Sequence, residues 1–188
     1  MRHCGTHPIE TKRLILRQFR MTDTDAMYKN WASDPEVTKY LMWPPHADVS
    51  VTAAVLASWV KNYEKPEYYQ WAITVRENGS EPIGSISVVE HEETVAKMHI
   101  GYCIGRAWWH QGIMSEALAG VMTFLFDVVG ANRLEARHDP RNPHSGGVMC
   151  KCGMQYEGTL RQSDRNNQGI CDAAYYGILR TEWERLQR

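Results

Sequence analysis

The chain has 188 residues, 43% hydrophobic and 23% charged, a length and balance that suit one folded domain and exclude a disordered or fibrous protein. Its formal net charge of −1 offers no global basic field for nucleic acid or an anionic membrane surface. Five scattered cysteines fit reduced thiols better than a disulfide framework, no apolar run nears the ~20 residues of a membrane helix, and residues 1–10 lack a signal peptide's apolar stretch, so a cytoplasmic protein is expected.

In chain order, residues 14–17 alternate as a first strand, and Thr22-Asp23-Thr24-Asp25 opens a helix running to about Ala32. Asp34-Pro35-Glu36 caps a short helix with proline at its first position. Trp43-Pro44-Pro45 is a loop, after which residues 50–63 carry helical spacing. Residues 69–75 and 83–89 are β-rich and flank the turn 77–80, a hairpin that a third strand over 95–104 extends. Helical spacing resumes from Ser115 to Val128, followed by a strand over 133–138, a helix over 142–152 and a strand over 154–160. A turn-rich stretch, 163–169, precedes a last strand over 173–179. The order predicts a single α/β (α+β) domain over 1–188, its sheet antiparallel early and partly parallel later.

The join from Gly105 to Ala117 is a strand-to-helix turn with Gly112 just before the helix. Such a turn aims unpaired backbone N–H groups at one spot, where the helix dipole adds positive charge, so a pyrophosphate fits it; on the turn by itself, a glycine needed for geometry alone is the plainer explanation. Neither G-x-x-x-x-G-K-[ST] nor a G-x-G-x-x-G after a strand is present, which removes the ATP and NAD readings.

Ile100-Gly101-Tyr102-Cys103-Ile104, followed by Trp109-His110-Gln111-Gly112-Ile113-Met114-Ser115-Glu116-Ala117, resembles the acetyl-CoA motif of GNAT-family N-acetyltransferases. Asn142-Pro143-His144-Ser145 and Cys152-Gly153-Met154-Gln155-Tyr156-Glu157-Gly158 are similar to the Asn-x-x-Ser and following block of the RimJ/RimL-like branch. The opening at 11–17 and the ending at 176–183 also match that branch. The resemblance implies a central mixed, mostly antiparallel sheet splayed between its fourth and fifth strands and flanked by helices, with acetyl-CoA as co-substrate in the cleft and no metal. It departs from the family at Trp109 and Met114, and Met114 is bulky where backbone should approach phosphate.

What the resemblance implies for single residues is as follows. The pantetheine arm pairs with the backbone of Tyr102, Cys103 and Ile104; His110, Gln111, Gly112, Ile113, Met114 and Ser115 hold the pyrophosphate; Asn142 bonds the pantetheine or acetyl end, or is a plain helix cap. Ser145 is the candidate donor to the leaving thiolate, against a solvent-facing serine of a first helical turn. The resemblance does not identify the base; by residue type and its place at the end of the strand leading to Asn142, His138 is the candidate, with Glu135, Glu90 and a water chain as rivals.

Cys150-x-Cys152 lacks the C-x₂-C spacing of zinc sites and reads as a pair of core thiols. The aromatic cluster Trp43, Trp59, Tyr63, Tyr68, Tyr69 and Trp71 reads as core, except that Trp43 in its loop, with 163–169 opposite, could shape an acceptor pocket. The expected acceptor is an amine, either a small molecule or a protein N-terminus. A homodimer is admitted by analogy with relatives. A non-catalytic acyl-CoA-binding module is the alternative, and a nucleic-acid role rests only on Arg133, Arg137, Arg141 and Lys151.

Overall fold

The computed structural model describes residues 1–187, apart from the side chain of Asn78; Arg188, the last residue of the expected domain, lies outside them. The strands are β1 (Ile9–Glu10), β2 (Leu14–Arg17), β3 (Gln70–Val75), β4 (Pro82–Glu92), β5 (Lys97–Ile104), β6 (Arg133–His138), β7 (Gln155–Asn166) and β8 (Gly169–Leu179). They form one sheet in the order β1-β2-β3-β4-β5-β6-β8-β7. Every neighbouring pair is antiparallel except β5 and β6, which run parallel with only Lys97, Met98 and His99 registered against Arg133, Leu134 and Glu135. From Ile100 onward the two strands part. Counted from the predicted strand at 14–17, they are the fourth and fifth, so the splay lies where the resemblance implies.

A parallel pair needs a crossover, and α4 (Ile113–Phe124) supplies it, prolonged by a π-helical turn at Leu125–Val129. Ile113, Met114, Ala117, Leu118, Val121, Met122 and Leu125 recur at helical spacing and are buried, forming the stripe that packs on Leu14, Leu16, Ile73, Ile86, Met98 and Ile100. Each large side chain fully buried there contributes about 1.5–3 kcal/mol. The opposite face is covered by α1 (Thr24–Met27), α2 (Pro35–Thr38) and α3 (Val49–Asn62), whose cluster includes Phe19, Met27, Trp31, Val37 and Leu56. Asp34 accepts a hydrogen bond from a first-turn N–H of α2, as its position before Pro35 predicts, and Asp48 does the same for α3. Completing the chain are α5 (Pro143–Lys151) and α6 (Arg180–Leu186).

The main departures from the sequence expectation are these. β4 runs on to Glu92, so residue 95 falls in a tight 3-10 turn, Glu93–Val95, and β5 starts at Lys97. α4 begins two residues before Ser115, at Ile113. The stretch 163–169 is mostly strand: β7 continues through Asp164, Arg165 and Asn166, paired with Cys171, Ile170 and Gly169. Polar residues on an exposed edge strand have the composition of a loop. α6 was not predicted; Glu182 accepts a hydrogen bond from the Leu179 N–H at 2.8 Å, and buried Trp183 stacks on Phe126.

All five cysteines are free, but of the expected core pair only Cys152 is buried, because Cys150 occupies the outer face of α5. No helix among the described residues is long and apolar enough to cross a membrane.

Candidate active site

A cavity of about 770 Å³ passes through the gap between β5 and β6, with walls from both faces of the sheet. That volume is in the range of small-molecule sites. Its two halves are built differently.

The first half is largely backbone. Gly112 takes the N-terminal cap of α4 at φ 72°, a left-handed conformation that suits glycine, and no side chain caps the helix, so the first-turn N–H groups have no side-chain partner. Glu116 would repel an anion there, but Arg13 neutralises it: the Arg13 Nε lies 2.6 Å from a Glu116 oxygen, and Arg13 Nη1 donates to the Gln111 carbonyl at 3.0 Å. His110 is held at φ 60° with its ring edge-on to His144, centroids 4.6 Å apart. The two departures from the family motif have local explanations. The Trp109 indole donates to the Ile104 carbonyl at 2.9 Å and closes the turn, while the Met114 side chain is only 6% exposed and packs with the core under α4 rather than filling the loop.

From Ile100 onward no residue of β5 is registered with β6, so the edge that carries Tyr102, Cys103 and Ile104 faces the cavity. The Tyr102 hydroxyl donates to the Ser145 carbonyl at 2.9 Å and accepts from the Ser145 hydroxyl at 3.1 Å. Burial pushes the Tyr102 phenol up, so it stays protonated. Burial also raises the Cys103 thiol, which sits 3.4 Å from Ser85 Oγ and is a poor nucleophile in that state. Asn142 takes the cap position of α5, yet its side chain makes no capping bond and lines the cavity. Together the uncapped helix start, the unpaired strand edge and the free Asn142 amide fit a phosphate-bearing, amide-bearing ligand such as acetyl-CoA.

The second half is made of side chains from distant segments: Trp43, Trp59, Gln70, Ser85, Ser87, Glu90, His99, Arg137, Asp164 and Asn166 all line it. The hairpin tip between β7 and β8 roofs it, because Asn167 donates from its side chain to the carbonyls of Thr38 and Trp43 at 2.8 and 2.7 Å. Asn166 donates to buried Asp139 at 2.8 Å, tying the same tip to the loop that enters α5. Arg137 pairs with Asp164 at 2.6 Å.

His99, only 4% exposed, lines this half, and sequence reasoning did not single it out. Its Nδ1 lies 3.3 Å from Glu135 and its Nε2 3.4 Å from Arg137 Nη1. A carboxylate only accepts and a guanidinium only donates, so the proton is on Nδ1 and the lone pair on Nε2. Burial and then the Arg137 charge lower its pKa from 6.5, which keeps it neutral near pH 7. The signal in the sequence was alternation: His99 shares a strand with Gly101 and Cys103 on the face opposite Tyr102.

His138 stands on the other face of β6. Its Nδ1 donates to the Asp139 carbonyl at 2.8 Å, and its unpartnered Nε2 is buried under α5, 2.7 Å from where a Cβ on Gly146 would lie. Glu135 is buried and bound by Lys97, His99 and Arg133, whereas Glu90 is exposed at the cavity rim, 3.8 Å from Arg137. The suspected basic face is largely neutralised, with Arg133 on Glu157, Arg137 on Asp164 and Arg141 on Asp139.

Residues 13–155 match the family model of the acetyltransferase (GNAT) domain. The uncharacterized N-acetyltransferase p20 of Bacillus licheniformis is 30% identical over 173 residues, covering 92% of this chain and 96% of that protein. Over 60 residues, 32% of this chain and 31% of the other, the ribosomal protein uS5 alanine N-acetyltransferase of Escherichia coli is 32% identical. Among solved structures, a GNAT-family acetyltransferase of Bacillus anthracis superposes with TM-score 0.81 at 24% identity, covering 93% of this chain and 99% of that one. The microcin C7 self-immunity acetyltransferase MccE, solved with acetyl-CoA and AMP, gives TM-score 0.80 at 16% identity over 90% and 93% of the two chains. These two likenesses are of fold alone. The family model spans most of the sequence and p20 matches nearly all of it, so the chain belongs to the GNAT family and is an N-acetyltransferase.

Proposed function

We propose that the protein acetylates a primary amine, on a small molecule or a protein N-terminus, by direct attack within one ternary complex. The observation that carries this reading is the cavity itself: it joins uncapped helix N–H groups on one side of the sheet to a neutral, buried imidazole on the other. Acetyl-CoA, when bound, supplies an activated thioester carbonyl.

In this reading His110, Gln111, Gly112, Ile113, Met114 and Ser115 cradle the pyrophosphate through backbone N–H groups, and the free edge of β5 at Tyr102, Cys103 and Ile104 pairs with the pantetheine amides. Asn142 orients the acetyl end. Once Arg137 gives up its 3.4 Å contact and stays paired with Asp164, the His99 Nε2 takes the proton of the incoming amine, with Glu135 holding the ring in the required tautomer; we assign His99 rather than His138 because α5 covers the free nitrogen of His138. The Ser145 hydroxyl, paired with Tyr102, turns to donate to the leaving thiolate.

The acceptor class is tested by mixing enzyme and acetyl-CoA with a panel of small amines and ribosomal-protein N-terminal peptides, and following free thiol. Thiol release that depends on one amine class, at one acetyl group per thiol, supports the reading. Acetyl-CoA binding without amine-dependent release from any member would sink it in favour of a non-catalytic module.

A further inference from the structure

At the end of β4 remote from the cofactor loop, the imidazoles of His3 and His91 face the carboxylate of Glu93. His3 Nε2 lies 2.6 Å and His91 Nε2 3.9 Å from the same Glu93 oxygen, and the three donor atoms fall within 4.8 Å of one another. Acetyl transfer makes no use of this cluster, and none of the three residues lines the cavity described above.

A surface imidazole-carboxylate pair is the plainer interpretation of His3 and Glu93 alone. Three features go beyond it. First, a second imidazole shares the same oxygen, its ring centroid 5.1 Å from that of His3. Second, His3 is not on a loose tail: the N–H of Arg2 donates to the Val129 carbonyl at 2.7 Å and that of Gly5 to the Pro66 carbonyl at 2.6 Å, which fixes the chain on both sides of it. Third, Nδ1 of His3 sits 3.0 Å from the hydroxyl of buried Tyr69, a contact that orients the ring and leaves Nε2 as the outward nitrogen, the arrangement in which metal-bound histidines are usually held. Two imidazoles and a carboxylate are a donor set suited to zinc, whose bonds of ~2.0–2.2 Å set tetrahedral donor separations of about 3.4 Å. The observed 2.6 and 3.9 Å straddle that spacing, so small side-chain rotations complete the geometry.

We infer that His3, His91 and Glu93 form a surface site for a divalent transition ion of the zinc type, which clips the N-terminal segment to the β4–β5 turn. The fourth position is left to water. The ion's effect is on stability, since it joins two segments that are apart in the sequence and binds the folded state alone.

The test is calorimetric titration of the full chain, purified without a histidine tag, with Zn²⁺ and separately with Mg²⁺, alongside thermal melts and acetyl-transfer assays. Expected are one Zn²⁺ per chain with a dissociation constant below about 10 μM, no Mg²⁺ binding in that range, and a melting point raised by Zn²⁺. His91→Ala and Glu93→Gln, at exposed positions, should weaken Zn²⁺ binding at least about tenfold and abolish the thermal shift, with acetyl transfer unchanged in both and metal-free melting unchanged in His91→Ala, since Glu93→Gln also loses the pairs of Glu93 with His3 and the N-terminal ammonium. Zn²⁺ binding that is equally tight in both variants, or absent from the wild type, would overturn the assignment.

Discussion

The two halves of the cavity obey different construction rules. The half we assign to the cofactor comes largely from one continuous stretch, β5 through the start of α4, and it offers backbone N–H groups, with the Trp109 indole bonded to the Ile104 carbonyl and Met114 packed in the core. The half we assign to the acceptor is assembled from segments near residues 43, 70, 85–99, 137 and 164–166, and it offers side chains that only the fold brings together. A half made of backbone can stay constant while a half made of side chains is exchanged, and one fold can thereby serve many acceptors.

The largest expected effect breaks the cofactor half. Gly112→Pro cannot adopt φ 72°, and should weaken acetyl-CoA binding by at least about 100-fold; Gly112→Ala, at roughly 1–2 kcal/mol for a left-handed non-glycine residue, should weaken it about tenfold with the circular dichroism spectrum retained.

Next comes the acceptor half. His99→Gln keeps a neutral side chain but removes the base, so kcat should fall about 100-fold. Because the pKa of His99 is lowered, its neutral form persists below pH 6.5, and wild-type kcat should hold until the pH drops through that depressed value. An acid limb that survives in His99→Gln would point to another base.

Ser145→Ala should lower kcat about tenfold, the value of one hydrogen bond to a charged group at about 1.5 kcal/mol, with the KM for acetyl-CoA little changed. The smallest effect concerns the strut between the halves. Burial alone would raise the Asp139 pKa, but the hydrogen bonds from Arg141 and Asn166 outweigh it and hold it at about 2. Depressed from 3.8, this group stabilises the fold above its unfolded value, and the contribution is lost as pH falls from about 4 through 2. Asp139→Asn should therefore cost about 1–2 kcal/mol at pH 7, roughly 3–6 °C in Tm, and almost nothing at pH 2.

The same contrast explains what could be read from the sequence. The helix cap at Asp34, the stripe of α4 and the turn at Gly112 are signals within a few residues of the structure they specify, and the splay followed from ordered motifs. Asp164 and Asn166 sit on a polar edge strand that reads as a turn, and His99 gains the environment on which its proposed role rests only from Glu135 and Arg137 across the parallel pair. Alternation along β6 puts Arg137 and His138 on opposite faces, and the cover that α5 places over the His138 Nε2 comes from a segment that only the fold brings there.

The most direct test of this division of labour is isothermal titration of acetyl-CoA into the wild type, His99→Gln and Gly112→Pro, each paired with a turnover assay on the best acceptor. The account predicts that His99→Gln binds acetyl-CoA like the wild type while turning over about 100-fold more slowly, and that Gly112→Pro loses binding itself. Equal loss of acetyl-CoA affinity in both variants, or full turnover in His99→Gln, would contradict it.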